Sequence, residues 1–266
     1  LANCDDAGKV VSFITKSVLD ELRVIYPDAL PQGVVTLPDA LSRVKERTGQ
    51  KFVVIIDEWD VIIRDGAITE NIQDEYLNFL RGMFKGSEPT KYIQLAYLTG
   101  ILPIKKIKTQ SALNNFDEFT MLDAGRLVSF VGFTEDEVKT LCEKYRMDFE
   151  QVKKWYDGYC LGECHIYNPI AVVNLVTKGK FKSYWSETGT YEAIVPLLNM
   201  DFEGLKTAII EMLGGSRAEI DVSSFQNDMV SFANRDDVLT YLIHLGYLGY
   251  DEDAEAAFVP NEEIRQ

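Results

Sequence analysis

One apolar run constrains the fold of this chain more than any other feature of its sequence. Residues 52–56 read Phe-Val-Val-Ile-Ile and end abruptly at Asp57-Glu58-Trp59-Asp60. An unbroken apolar run of this length is typical of a strand covered on both faces, as in the middle of a parallel sheet. We therefore predict an α/β fold in which Asp57 stands at the carboxyl edge of a central strand, where open α/β sheets bind their ligands.

The two adjacent acids indicate nucleotide hydrolysis at this edge. In such sites the first acid holds Mg²⁺ or its water shell, and the second orients or deprotonates a water molecule. An apolar strand followed by Asp57-Glu58 has the form of a Walker B segment. A buried strand that ends in a solvated acidic turn has the same pattern, so this segment alone leaves both interpretations open.

A second strand is predicted to bring a hydroxyl group to the same edge. Residues 92–98 form another strand pattern that stops at Thr99-Gly100, and residues 72–84 between the two strands have helical periodicity. Strand, helix, strand is a βαβ unit, so the two strands should be parallel neighbours. Thr99 would then lie beside Asp57, as the sensor residue of a P-loop ATPase does. The alternative is a capping threonine before a turn-forming glycine.

The part of an ATPase site that grips phosphates is missing from the sequence. A P-loop needs Gly-x-x-x-x-Gly-Lys-Ser/Thr, because its backbone N–H groups and lysine surround the phosphates. The two Gly-Lys pairs, at 8–9 and 179–180, are followed by valine and phenylalanine. We therefore expect the chain to be a fragment that has lost an N-terminal piece of several dozen residues, and to be inactive by itself.

Composition and charge exclude several classes of protein. The net charge of −15 argues against a surface that tracks nucleic-acid phosphates, although it leaves any nucleic-acid role undetermined. No apolar run approaches the roughly 20 residues that cross a bilayer, so no membrane partner is expected. Four cysteines do not make a disulfide framework, and a reducing cytoplasm is the expected location.

The character of the sequence changes near residue 130. We predict an NTPase core over 1–130, including a further strand at 116–122, and a mostly helical domain over 131–266. Thr134 and Glu137 have the spacing of a capping box. A helix over about 235–246 followed by a hairpin is the tail of a winged-helix arrangement, but many small α+β modules have the same pattern.

Two other clusters carry weaker predictions. Cys160, Cys164 and His165 suggest half a zinc site, but no second ligand pair lies at a suitable spacing, so a turn with buried thiols is favoured. The aromatic residues at 155–159 are expected to pack between the two halves of the chain. The Glu-x-Lys at 137–139 lies inside a predicted helix, which cannot present it as a nuclease site does.

Several sequence blocks follow one another in an order that resembles a known family. They are Val-Ile-Ile-Asp-Glu-Trp-Asp at 54–60, Ala-Tyr-Leu-Thr-Gly-Ile-Leu-Pro-Ile at 96–104, Gly-Phe-Thr at 132–134, Lys-Trp-Tyr-Asp-Gly-Tyr at 154–159, Tyr-Asn-Pro at 167–169, Gly-Tyr-Leu at 246–248 and Val-Pro-Asn-Glu at 259–262. In this order they resemble the predicted AAA-ATPase-like proteins of bacteria, and the likeness covers nearly the whole chain.

The resemblance implies a RecA-like P-loop core, followed by a helical and winged-helix-like region. ATP and Mg²⁺ are the implied ligands, with a phosphate loop before this segment and often a PD-(D/E)XK nuclease-like domain after it. By position, Asp57 resembles the Mg²⁺ acid, Glu58 the general base and Thr99 the sensor. Asp60 is grouped with Asp57 and Thr99 as nucleotide-binding. Lysines at 105–106 stand where related sensors carry an arginine.

Two functional hypotheses follow from these observations. The first is an ATP-dependent molecular switch in the intact protein, and the second is a non-catalytic module that binds a protein partner and retains a degenerate NTPase fold. A DExD-box helicase core is disfavoured because Leu98-Thr99-Gly100 replaces the expected Ser-Ala-Thr-like segment and because the chain is strongly acidic.

Overall fold

The chain divides into two compact units, Leu1–Asp117 and Glu118–Gln266. The structure is a computed structural model that describes residues 7–30, 33, 36–65, 67–102, 104, 113–185, 191–225 and 232–266. The predicted assignment of 1–130 and 131–266 to separate functional domains stays a prediction. No helix within these described ranges is both long and apolar enough to cross a membrane.

The first unit combines helices with a small parallel sheet, as an α/β fold requires. Its elements are α1 (Val10–Ile25), α2 (Leu37–Thr48), β1 (Phe52–Ile56), α3 (Val61–Arg64), α4 (Glu70–Phe84), α5 (Pro89–Tyr92) and β2 (Ile93–Leu98). Strands β1 and β2 pair in parallel, in the register Val53↔Leu95 to Ile56↔Leu98. The predicted strands, the helix between them and their parallel pairing are therefore confirmed.

Helices α1, α2 and α4 pack on one another and form the core of the first unit. Ala40 and Leu80 are completely buried in it. Helix α2 begins where the sequence directs it, because the Thr36 hydroxyl accepts a hydrogen bond from the Asp39 N–H and Pro38 occupies the first turn. This cap fixes the start of α2.

One face of the sheet is exposed, so the prediction that β1 is covered on both faces is wrong. Val53 and Ile55 are 57% and 70% exposed, and their register partners Leu95 and Tyr97 are 56% and 45% exposed. Burial alternates along β1 even though every one of its residues is apolar. The sequence shows that both faces of β1 are apolar, but it does not show whether other parts of the chain pack against both faces.

The strand predicted over 116–122 is also absent from the structure of that segment. The Thr120 N–H donates to the Asp123 carbonyl at 2.7 Å, and the Thr120 hydroxyl accepts from the Leu122 and Asp123 N–H groups. A threonine side chain that bonds its own local backbone favours a turn over an extended ladder. The apolar residues of 116–122 therefore belong to a turn and not to a strand.

The second unit is built from helices and two small antiparallel sheets. Its elements are β3 (Phe133–Thr134), α6 (Glu135–Tyr145), α7 (Phe149–Tyr156), β4 (Tyr159–Leu161), β5 (Cys164–Tyr167), α8 (Pro169–Lys178), α9 (Tyr191–Leu198), α10 (Leu205–Leu213), β6 (Ala218–Glu219), α11 (Arg235–His244), β7 (Gly249–Asp251), β8 (Ala256–Phe258) and α12 (Glu262–Arg265). The strand orders are β3-β5-β4 and β6-β8-β7. The predicted capping box of Thr134 and Glu137 is confirmed. The predicted helix and hairpin near the end are confirmed as α11, β7 and β8, whereas the winged-helix assignment stays a prediction.

The sequence blocks that carry the family resemblance meet physically in this unit. The Tyr159 hydroxyl donates to the Gly246 carbonyl at 2.7 Å, and the Asn261 side-chain amide donates to the Asp157 carbonyl at 2.8 Å. Blocks separated by about a hundred positions thus hold each other by buried hydrogen bonds, which stabilise the unit because unpaired polar groups would be costly there. These residues are scaffold for the unit.

The aromatic residues of the Trp-Tyr-Asp-Gly-Tyr block pack inside the second unit, contrary to the expected packing between two halves. The Tyr156 ring is completely buried and lies 6.2 Å from the Phe181 ring, 6.0 Å from the Trp155 ring and 6.4 Å from the Tyr184 ring. Its hydroxyl donates to the Lys182 carbonyl. The block therefore closes a local core.

The largely desolvated imidazole of His244 should make the stability of the second unit depend on pH. Desolvation lowers the pKa of His244 to about 4, and its ring lies 5.6 Å from that of Phe225. Below pH 6.5 the unfolded chain gains a proton that the folded chain does not, so stability should fall between about pH 6.5 and pH 4, by about 2–3 kcal/mol. Above pH 6.5 this contribution is fully present.

The measurement is urea unfolding across this pH range for the natural chain and for His244→Phe, which keeps a ring against Phe225. Subtracting the two curves removes the carboxylates that titrate in the same range. Parallel curves for the two proteins would contradict the prediction.

Candidate functional site

The site lies where β1 and β2 end together. Because Ile56 pairs with Leu98, the next residues on the two strands, Asp57 and Thr99, emerge side by side. The Thr99 hydroxyl donates a short hydrogen bond to Asp57 Oδ1. It also accepts from the Glu58 N–H at 3.3 Å. The two strand ends are therefore joined through one hydroxyl group.

Backbone hydrogen bonds extend this junction past the strands. The Thr99 N–H donates to the Ile56 carbonyl at 2.9 Å, and the Trp59 N–H donates to the Thr99 carbonyl at 2.8 Å. The ladder thus continues for one more turn of chain and fixes the acidic residues against β2. Both Asp57 and Glu58 keep exposed side chains, so their carboxylates face solvent at the sheet edge.

Glu58 is held in a backbone conformation that is uncommon for its residue type. Its φ is +50°, in the left-handed region, where a side chain crowds the following carbonyl. This conformation turns the chain sharply at Glu58. As a result, Asp57 bonds Thr99, whereas the Trp59 side chain points inward and is only 2% exposed. Non-glycine residues held in sparsely populated conformations occur preferentially at functional sites.

Asp60 has a different environment from Asp57 and Glu58. It is completely buried, and its Oδ2 accepts hydrogen bonds from the Ile101 N–H at 2.9 Å, the Leu102 N–H at 2.7 Å and the Arg64 Nε–H at 3.0 Å. Its Oδ1 has no hydrogen-bond partner among the described residues. The carboxylate thus ties α3 to the segment after β2. Nucleotide contact by Asp60 stays a prediction.

Two further residues hold the acidic loop from behind. The Tyr76 hydroxyl, on α4, donates to the Trp59 carbonyl at 2.9 Å. Burial, with the neighbouring Asp60 carboxylate, raises the pKa of Tyr76 to about 12, so this hydroxyl stays a donor at neutral pH. A Cβ at position 100 would lie 2.7 Å from the Trp59 ring, which is too close. Because Gly100 lacks one, the backbone after β2 packs directly on the indole.

The sequence predicted some of these residues and missed others. Asp57, Glu58 and Thr99 are brought together at the predicted edge, whereas the Asp60 side chain is turned into the unit. The supporting residues Arg64 and Tyr76 were not predicted. The i,i+4 spacing of Asp60 and Arg64 is the one signal that pointed to their pairing. The lysines at 105–106 lie outside the described residues.

The donor set at the edge suits a hard divalent cation. Asp57 offers a carboxylate and Thr99 a hydroxyl, and Mg²⁺ is bound in proteins through one or two carboxylates with water and phosphate oxygens completing its shell. In the described part of the chain, no basic side chain bonds the Asp57 carboxylate or the Thr99 hydroxyl. The residues present therefore fit Mg²⁺, while the sequence contains no phosphate-binding loop beside them.

Comparison with known proteins finds a family model that matches the region containing this site. Residues 8–109 match the model of the AAA-ATPase-like family, described as predicted AAA-ATPase, and the resemblance identified from the sequence is confirmed over this region. All four predicted site residues fall within it.

One curated relative extends the comparison. The chain is 31% identical over 153 residues to an uncharacterized protein in the vnfD 5′ region of Azotobacter chroococcum mcd 1. The match covers 56% of this chain and 29% of the relative, so the chain spans less than a third of that protein's length. No solved structure matches the chain.

Proposed function

We propose that the intact protein is an ATP-dependent molecular switch of the P-loop class, with its water-activating residues at the edge of the β1–β2 sheet. The observation that carries the proposal is the hydrogen bond from the Thr99 hydroxyl to the Asp57 carboxylate, directly beside the exposed Glu58. The match of residues 8–109 to the AAA-ATPase-like family supports the same assignment. A RecA-like core and a cytoplasmic location are parts of this proposal.

Each residue has a distinct role in the proposed reaction. Asp57 would hold Mg²⁺ directly or through water, and the ion would neutralise charge on the β- and γ-phosphates. Glu58 accepts the proton of the attacking water as general base. Thr99 exchanges its bond to Asp57 for one to the γ-phosphate, and thereby reports whether that phosphate is present. Because the Thr99 carbonyl also holds the Trp59 N–H, such a change would pass into the acidic loop.

Glu58→Gln should separate binding from hydrolysis. In the natural-length protein, we expect this variant to retain Mg²⁺-ATP binding by calorimetry while its turnover falls about 10²–10⁴-fold, because the base is lost and the shape is kept. Asp57→Asn should instead weaken the Mg²⁺-dependent part of binding. Glu70→Gln, at the exposed start of α4, is the matched control and should leave both measurements unchanged.

Residues 1–266 alone should show negligible ATP turnover, because the Gly-Lys-Ser/Thr that surrounds phosphates is absent from them. Measurable hydrolysis by residues 1–266 that Glu58→Gln abolishes would contradict this expectation. Absence of Mg²⁺-ATP binding by the natural-length protein would overturn the switch proposal and favour the non-catalytic interaction module.

A further inference from the structure

We propose that Cys160 and His165 form a transition-metal site, suited to Zn²⁺, with Asp157 orienting the imidazole. The three residues lie in the second unit, on the β4–β5 hairpin and at the end of α7, and play no part in the proposed nucleotide site. From the sequence, Cys160, Cys164 and His165 suggested half a zinc site. The structure keeps Cys160 and His165 as ligands, removes Cys164 and adds Asp157 as a supporting residue.

The hairpin register sets which side chains meet. Cys160 pairs directly with His165, and Leu161 pairs with Cys164. Since side chains alternate between the faces of a strand, Cys160 and His165 share one face, and Cys164 lies on the other. Cys164 packs there against a buried apolar cluster that includes Leu161 and Ile166. It is therefore excluded as a ligand of the same ion.

The distance between the two donor atoms matches a shared metal. Cys160 Sγ lies 3.8 Å from His165 Nε2. Bond lengths of about 2.3 Å to sulfur and about 2.0 Å to nitrogen, at a tetrahedral angle, put the two donors about 3.5 Å apart. An ion fits between them after a movement of a few tenths of an ångström. Cys160 is exposed and His165 is half-buried, so an ion can reach both.

Asp157 sets the direction of the imidazole. Its two carboxylate oxygens lie 3.0 and 3.1 Å from His165 Nδ1, and its own side chain is 10% exposed. The backbone carbonyl of Asp157 is held by Asn261. A carboxylate on Nδ1 places the proton on that nitrogen and leaves the Nε2 lone pair toward Cys160, which is the arrangement of metal-binding histidines and their supporting carboxylates.

On the Nδ1 side of His165, lysine ammonium groups already neutralise the nearby carboxylates. Glu135, Asp157 and His165 present donor atoms within 4.8 Å of one another. However, Glu135 accepts from Lys139 at 2.6 Å and from Lys153 at 2.8 Å, and these bonds lower its pKa to about 2. Lys153 also lies 4.0 Å from Asp157. The lysines supply the positive charge there, so the Nε2 side is the open one.

A cysteine, a histidine and an aspartate that contact one another in this order could instead form a catalytic site in which the thiol is the nucleophile. Such a nucleophile needs a stabilised thiolate, and the charged group bonded to His165, the Asp157 carboxylate, has the wrong sign to stabilise one. A divalent cation supplies the charge that the thiolate needs. On binding, the sulfur forms a bond to the metal and its proton leaves to solvent. Two protein ligands leave the remaining positions to water or a further donor.

Cobalt(II) tests the proposal, because a thiolate ligand gives it a charge-transfer absorption in the near ultraviolet. Titration of residues 1–266 with Co²⁺ should produce this band, and added Zn²⁺ should remove it. Cys160→Ser should abolish the band, whereas the matched variant Cys164→Ser should retain it. Asp157→Asn should weaken the affinity about 10–100-fold, as loss of a supporting carboxylate does.

Circular dichroism of each variant separates loss of the site from loss of the fold. Because Cys160 is exposed, Cys160→Ser should keep the native spectrum. No thiolate band at millimolar Co²⁺, or a band that survives Cys160→Ser and disappears in Cys164→Ser, would overturn the proposal. Neither result would bear on the nucleotide site, which lies in the other unit.

Discussion

Replacing Asp60 by alanine is expected to lower the free energy of unfolding of the first unit by about 3–5 kcal/mol. The substitution removes the acceptor of three donors, the Ile101 and Leu102 N–H groups and the Arg64 guanidinium. Two backbone donors would then be left without their partner, and the Arg64 charge would lose its counter-ion. Urea unfolding of residues 1–266, followed by circular dichroism, measures the change.

Asp28→Ala is the control for this prediction, because Asp28 is an exposed aspartate on the same unit. Its substitution should change stability by no more than about 0.5 kcal/mol. Equal stability of the two variants would show that Asp60 is not the tie between α3 and the segment after β2. In the natural-length protein, an Asp60→Ala variant that stays folded but has lost Mg²⁺-ATP binding would instead support the predicted nucleotide contact.

Replacing Gly158 by alanine should destabilise the second unit by about 2–5 kcal/mol, the sum of overpacking and backbone strain. Gly158 has a φ of +117°, and a Cβ there would lie 2.1 Å from the Pro260 carbonyl oxygen. The obstacle is backbone, which has little freedom to move because Asn261 is bonded to the Asp157 carbonyl beside it. Thermal unfolding with near-ultraviolet circular dichroism measures the loss.

Gly162→Ala separates the two causes. Gly162 has a φ of +62° in the turn of the β4–β5 hairpin, and nothing lies within 4 Å of a Cβ built on it. Only the backbone strain applies there, so the expected loss is about 1 kcal/mol. Similar losses for Gly158→Ala and Gly162→Ala would mean that the approach to Pro260 is not what requires glycine.

Local chemistry made much of the first unit predictable. Thr36 caps a helix, an apolar run forms a strand, and strands joined through a helix pair in parallel. From these alone the meeting of Asp57 with Thr99 follows, because parallel strands end at the same edge. The inward turn of Asp60 could not be predicted in the same way. It depends on the left-handed conformation of Glu58 and on donors about forty residues away, which no local pattern encodes.

The second unit was less predictable because its strands are very short. Strands β4 and β5 have three and four residues, too few for an alternating pattern to be recognised. The hairpin pairing of Cys160 with His165 was therefore missed, and Cys164 was grouped with them on spacing alone. The family blocks were recognised as sequence, but only the structure explains them, through contacts such as Tyr159 with Gly246.

The backbone of Glu58 shows a conflict between two demands on one position. At a φ of +50°, glycine would remove a cost of about 1–2 kcal/mol that a glutamate side chain bears there. A chain optimised only for thermal stability would carry glycine at position 58 and would lose the Glu58 carboxylate. Stabilising this protein by design therefore has an evident first substitution, and it is the one to avoid if the acid is to be kept.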